Sequence, residues 1–158
     1  MSIEQLDTRC IADDSLPWMP YLPWSDLVSV KLYRVDPLRG EVISVVRAPP
    51  GVELPRYRHA GTATIYTIQG RWKYRERDWV AGPGSVVIES ASAQHTPQSL
   101  ADGTDDVIMF VVATGEHLLL DAAGRVVATE NWRTAVDRYL EYCREHGLEP
   151  RDLTGHDA

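Results

Sequence analysis

From residue 28 to residue 129 the chain reads as a succession of short β-rich runs broken by Gly/Pro turns, with little helical periodicity. Runs 28–35 and 41–48 flank Asp36-Pro37-Leu38-Arg39-Gly40, which predicts two strands joined by a hairpin loop. Further strands are expected at 58–68, 71–80, 85–89, 107–113, 117–120 and 125–129. Between them lie Pro49-Pro50-Gly51, where Gly51 is free to take positive φ, then Gln69-Gly70, Gly82-Pro83-Gly84 and Asp121-Ala122-Ala123-Gly124. The period changes only over 132–146. There Val136, Tyr139, Leu140 and Cys143 recur at three- and four-residue spacing with charges between them, and Gly147 provides a stop, which predicts one amphipathic helix. Many short strands followed by a helix make an all-β sandwich or barrel with a helical appendix. Residues 13–24 hold three prolines and can form neither a helix nor a central strand, so an extended arm with docked Trp and Tyr side chains is expected. The implied organisation is an arm over 1–27, a barrel over 28–130, and a helix with a polar tail over 131–158.

The run 71–80 carries the most informative pattern. Arg71, Lys73, Arg75 and Arg77 alternate with Trp72, Tyr74, Glu76 and Asp78, so a strand would place four cations on one face and the aromatics with Glu76 on the other. The cations belong in water as a solvated face, which turns Trp72, Tyr74 and Glu76 inward. A carboxylate on an apolar face is costly unless it is paired or metal-bound. With a two-residue hairpin at Gln69-Gly70, Glu76 faces Ala63, Tyr74 faces Ile65 and Val80 faces His59, and Tyr57, His59, Gly61, Ala63 and Ile65 share one interior. A bulge at Gly61 would break this phase.

Composition narrows the class. The 158 residues suffice for one domain, and 44% hydrophobic with 25% charged residues is an ordinary globular balance. Sixteen Lys+Arg against 23 Asp+Glu give a net charge of −7, which argues against nucleic-acid or membrane-surface partners. No apolar run is long enough for a membrane span, and MSIEQLDTRC lacks a signal-peptide layout, so a cytoplasmic protein is expected. Cys10 and Cys143 have no metal-ligand spacing. Five Trp and seven Tyr against one Phe favour half-buried rings with a polar edge.

Gly51, Tyr57-Arg58-His59 and Gly70 have the spacing of the first cupin motif, G(x)5HxH(x)3–4E(x)6G, and Gly84 with His95 that of the second, G(x)5PxG(x)2H. Across 54–97 the chain resembles the acetylacetone-cleaving and 2,4'-dihydroxyacetophenone dioxygenase group of cupins, as does the tail from Leu120 into the helix. The resemblance implies a jelly-roll barrel, a homodimer or homotetramer, and a metal held by His59 and His95. The chain departs from the pattern in four places: Tyr57 replaces a ligand histidine, Ala63 and Thr64 stand where a glutamate is expected, and Ser90 and Ser92 replace the second motif's Pro and Gly. Because Ala63 is small and Glu76 is its expected neighbour, Glu76 is the candidate replacement carboxylate. His59, His95 and Glu76 would then be a donor set suited to Fe(II), with Zn, Ni or Mn as other divalent choices. Glu76 paired with Arg58 or Arg77 is the competing reading, and Tyr57 is either a catalytic or ligating group or a hydrogen-bonded filler.

Ile65, Trp72, Tyr74 and Met109 are expected to wall the cavity, with Thr96 and Gln98 near its mouth, and to take a small carbonyl compound together with O₂. His117 and His146 are expected to be surface or packing residues, and His156 to lie in the tail. Two functions are expected, the first implied by the resemblance and the second by the departure at Tyr57, where a ligand histidine is replaced and the metal site altered. One is a metal-dependent dioxygenase cleaving a C–C bond in a β-diketone or hydroxy-aryl-ketone. The other is a non-oxidative cupin, an isomerase, cyclase or binding protein for a small carbonyl compound.

Overall fold

A computed structural model describes residues 8–154; the expectations for 1–7 and for His156 lie outside the described residues. The chain folds as an all-β jelly roll closed by one C-terminal helix. Its strands are β1 (Met19–Tyr21), β2 (Ser25–Asp36), β3 (Glu41–Ala48), β4 (Tyr57–His59), β5 (Ala63–Gln69) and β6 (Trp72–Tyr74), then β7 (Val86–Glu89), β8 (Gln94–His95), β9 (Pro97–Ser99), β10 (Val107–Thr114), β11 (His117–Leu120) and β12 (Val126–Glu130), followed by α1 (Trp132–His146). A six-stranded sheet in the order β1-β2-β3-β10-β5-β7 faces a four-stranded sheet β12-β11-β4-β8, and β6 pairs with β9.

The expected strand 58–68 is two strands that belong to different sheets. Gly61 is the reason. A Cβ on Gly61 would lie 1.8 Å from the Thr114 carbonyl oxygen and 3.1 Å from the Gly115 Cα, and Gly115 itself takes φ +76°. The two glycines let the β4–β5 and β10–β11 crossings touch, so both segments change sheet at one point. After the crossing, β5 alternates cleanly: Ala63, Ile65 and Thr67 point inward, Thr64, Tyr66 and Ile68 outward.

The expected hairpin at Gln69-Gly70 does not form. β5 is flanked by β10 and β7 instead, and the strand begun at Trp72 ends at Tyr74. Gly70, at φ +77°, presses on Val107, where a Cβ would come within 2.7 Å of its Cα, and the chain leaves the large sheet there. β6 pairs instead with β9, matching Tyr74 to Pro97, so the facing pairs expected of the hairpin are absent.

The Pro-rich segment 13–24 contributes a 3₁₀ turn at Asp13–Ser15 and the edge strand β1. Its Trp18 ring lies under Lys31 and Arg47, and Trp24 donates its indole N–H to Glu130. Helix α1 starts on an Asn131–Thr134 capping box and stops at Gly147 in the left-handed conformation. It buries Ala135, Tyr139 and Cys143 against Leu16, Met19, Leu32 and Val35; Leu140, expected on that face, is exposed. Both Glu130 oxygens accept from Arg138, 2.7 Å away, which ties the helix to β12. Among the described residues no helix is long and apolar enough to cross a membrane.

Substituting Gly61→Ala should lower unfolding stability by roughly 1–3 kcal/mol, since a methyl group forced into packed backbone cannot be accommodated by rotamer change. Chemical denaturation checks this; unchanged stability would mean that the sheet switch does not depend on the close approach.

Candidate metal centre

The polar core of the barrel is built from five short strands. β4 supplies Tyr57 and His59, β6 supplies Tyr74, β8 His95, β11 His117, and β7, from the opposite sheet, Glu89. Glu89 is 1% exposed and His59 is fully buried. The Glu89 carboxylate bridges the two sheets. Its Oε2 accepts from His59 Nδ1 at 2.8 Å, and its Oε1 accepts from the Tyr57 hydroxyl at 2.5 Å and from the Tyr74 hydroxyl. Burial by itself would raise the Glu89 pKa, but the hydrogen bonds from His59, Tyr57 and Tyr74 reverse that and hold it down at about 2.

The imidazoles are stacked within this cluster. His117 lies on His59 with ring centroids 4.0 Å apart, and His95 lies on the Tyr74 ring at 4.1 Å. Desolvation, reinforced by the neighbouring His59, pushes the His117 pKa down to about 4 against the pull of Glu89. Desolvation likewise lowers His95. Neutral imidazole is the form that donates a lone pair to a metal. The two phenols are pushed the other way: burial, and then their charged and polar neighbours, hold Tyr57 and Tyr74 protonated.

A divalent metal fits these residues. Because the ionised Glu89 can only accept, His59 must donate from Nδ1, which leaves Nε2 with its lone pair free. That Nε2 and both ring nitrogens of His95 are buried with no hydrogen-bond partner. Buried polar atoms left unpaired are rare and costly, and a cation is the partner that suits the lone pairs of His59 Nε2 and of one His95 ring nitrogen. His59, Glu89 and His117 each offer a ligand atom within 4.8 Å of the others.

Beside the cluster lies a cavity of about 160 Å³, whose polar lining includes Tyr57, Tyr74, Glu89 and His117 of the cluster and, apart from them, Glu130 and Arg138. A void of about 150 Å³ holds a benzene-sized molecule. The expected wall residues Ile65, Trp72, Tyr74 and Met109 do line it, joined by Val111 and Leu119; Thr96 and Gln98 do not.

Besides Thr96 and Gln98, the expectations for Glu76 and His117 differ from the structure. Glu76 is exposed, beyond the end of β6, where it accepts from the Thr96 N–H at 2.9 Å and the Thr96 hydroxyl at 2.6 Å. It pairs with neither Arg58 nor Arg77 and is not among the groups that offer a ligand atom beside His59. The residue opposite Ala63 is Glu89, because β7 and not β6 is the neighbour of β5. His117, expected to be peripheral, pairs directly with His59 across β4 and β11. The signal for Glu89 was present in the sequence, as an acid closing an otherwise apolar β-run; for His117 there was none, since the β4–β11 pairing joins segments far apart in the chain.

A jelly-roll barrel with imidazoles and a carboxylate gathered in its interior defines the cupin class. Residues 8–117 match the ChrR cupin-like domain family, and the chain belongs to that family. It is 50% identical to an RmlC-like cupin protein from Ralstonia eutropha, over 94% of this chain and 95% of that one, with a TM-score of 0.91. An acetylacetone dioxygenase from Acinetobacter johnsonii is similar in fold, at 19% identity, TM-score 0.75 and coverage of 89% and 95%. So is a chain of the Rhodobacter sphaeroides complex of SigE with the anti-sigma ChrR, at 18% identity, TM-score 0.53 and coverage of 65% and 50%. No curated protein matches.

The folded pKa of Glu89 lies below the ordinary 4.5, so its contribution to stability is fully present above that pH and is lost as pH falls toward 2. In metal-free protein this loss should be about 3 kcal/mol. Denaturation series from pH 5 to pH 2 on the wild type and Glu89→Gln check it: the variant should show a flatter profile, and parallel profiles would refute the assignment.

Proposed function

We propose that this protein is a metal-dependent cupin dioxygenase that cleaves a C–C bond in a small β-diketone or hydroxy-aryl-ketone. The observation that carries the reading is the set of unpartnered buried nitrogens on His59 and His95 near a carboxylate, with a largely apolar cavity beside them. In this reading His59 through Nε2, His117 and His95 would hold the metal, and Glu89 braces His59 from its Nδ1 side. A bound Fe(II) supplies Lewis-acid polarisation of the substrate's oxygens and the reducing capacity that O₂ chemistry needs.

The chain's own residues divide the remaining work. Glu89 fixes the His59 ring through Nδ1, so that Nε2 keeps one orientation and one tautomer. With three donors on it, Glu89 is a poor proton acceptor and serves as a positioning and charge-balancing group. Tyr57 stands on the cavity wall with its hydroxyl proton given to Glu89, so its oxygen is left to accept from an enol or hydroxyl group of a substrate. Ile65, Trp72, Met109 and Val111 pack the substrate's carbon skeleton and keep the site dry. Ala63 and Ala113 leave the floor of the cavity open. The similarity in fold to an acetylacetone dioxygenase supports this choice of substrate class.

The test begins with metal analysis of purified protein. Wild type should carry near-stoichiometric divalent metal, Glu89→Gln and His117→Ala should bind it at least ~10-fold more weakly, and Glu76→Gln should match wild type. Oxygen uptake with simple β-diketones should follow the metal content. Metal binding without oxygen uptake would favour the non-oxidative reading, in which Tyr57 in place of the motif's histidine serves as a proton donor. Metal content untouched by Glu89→Gln and His117→Ala would overturn the site.

A further inference from the structure

Outside the metal centre the barrel pairs its buried polar side chains, with one exception. Lys31 is held by Asp13, Thr67 accepts the Trp72 indole N–H, and Glu130 accepts from Arg138. Thr96 donates to Glu76, and Ser99 donates to the Pro49 carbonyl. Ser44 is 7% exposed, and among the described residues its hydroxyl has no hydrogen-bond partner. The register sets it on β3 between Leu32 of β2 and Val111 of β10, and all three line the cavity. Val42 and Val46, two residues to either side along β3, line the same wall. A hydroxyl thus stands in an apolar wall with no group of the protein to bond, where an alanine would carry no such penalty.

The strand order separates Ser44 from the imidazole cluster. β3 lies three strands from β7, which carries Glu89, so the hydroxyl and the carboxylate meet different parts of whatever fills the cavity. Charge narrows what Ser44 can bind. Among the described residues Arg138 is the only Arg or Lys lining the cavity. Its Nη2 donates to both Glu130 oxygens at 2.7 Å and its Nε to the Leu22 carbonyl, so an anionic group on a ligand would find no free cation there.

We propose that Ser44 is a specificity-determining residue, whose hydroxyl hydrogen-bonds a neutral hydroxyl or carbonyl carried by the substrate at the end remote from the oxygens that face the imidazole cluster. This rests on the function proposed above for the near end of the substrate. Within that substrate class it selects a ketone with a second, distant oxygen over a diketone with hydrocarbon arms.

Two calorimetric measurements test this. In thermal unfolding, ligand-free Ser44→Ala should melt about 2–4 °C above wild type, because an unpaired buried hydroxyl has been removed. A serine kept for structure would lose stability instead. In titrations, 4-hydroxyacetophenone and 4-methylacetophenone differ only by OH for CH₃ at the remote end. Wild type should prefer the hydroxyl probe, Ser44→Ala should reduce that preference at least ~5-fold, and Ser44→Thr should keep it. Both probes are titrated into metal-loaded and chelator-treated protein. A serine-dependent preference in protein that takes up no metal supports the role of Ser44 and counts only against the metal centre. Metal uptake with the same preference in wild type and Ser44→Ala overturns the role of Ser44 and leaves the metal centre standing. A lowered melting point in Ser44→Ala, or a wild type that binds both probes alike, also overturns it.

Discussion

A carboxylate at 1% exposure in the middle of a β-barrel is the constraint around which this molecule is arranged. Moving a charge out of water costs several kcal/mol, and only charge-assisted hydrogen bonds, each worth about 1.5–3 kcal/mol, can offset it. Glu89 has three: one from an imidazole and two from phenols. The donors come from β4 and β6, the acceptor from β7. The two sheets are therefore joined at the core by polar contacts in addition to apolar packing, and the local order of Tyr57, His59 and Tyr74 depends on one acidic residue.

The chemistry of the site follows from that arrangement. Because the ionised Glu89 accepts the hydrogen bond of His59 Nδ1–H, Nε2 keeps its lone pair as a free ligand atom. Because the pocket is dry, His95 and His117 are held neutral and the phenols stay protonated. Ionised carboxylate, neutral imidazoles and neutral phenols are each the state in which a cation can be received at minimal proton cost. The same dryness comes from the walls: Trp72 is locked by its N–H to Thr67, and the apolar side chains of β5 and β10 close the cavity around the cluster.

Much of the site was legible in the chain because motif spacing is a local property. Tyr57, His59 and His95 sit at fixed distances from Gly51 and Gly84, and Trp72 and Tyr74 alternate with basic residues on a short strand. The expectation that a small Ala63 leaves room for an acid on the adjacent strand describes the right physics. It chose Glu76 because it assigned β6 as the neighbour of β5. Gly70 turns the chain away before that pairing can form, and Glu89 of β7 fills the space. Nothing within a ten-residue window distinguishes those two neighbours. His117 was invisible for the same reason, since it meets His59 only through a pairing of strands almost sixty residues apart.

What the sequence determined by itself is the set of local decisions: period-two burial, turns where glycine tolerates positive φ, one amphipathic helix with its cap and stop, and the motif positions of the imidazoles. These depend on backbone sterics and on the few residues either side. Which strand lies beside which, and so which acid and which third histidine complete the core, was decided only by the tertiary structure. The physical reason is the close passage of Gly61 against Gly115 and of Gly70 against Val107: contacts between distant segments set the sheet order, and the sheet order selects the side chains that meet inside.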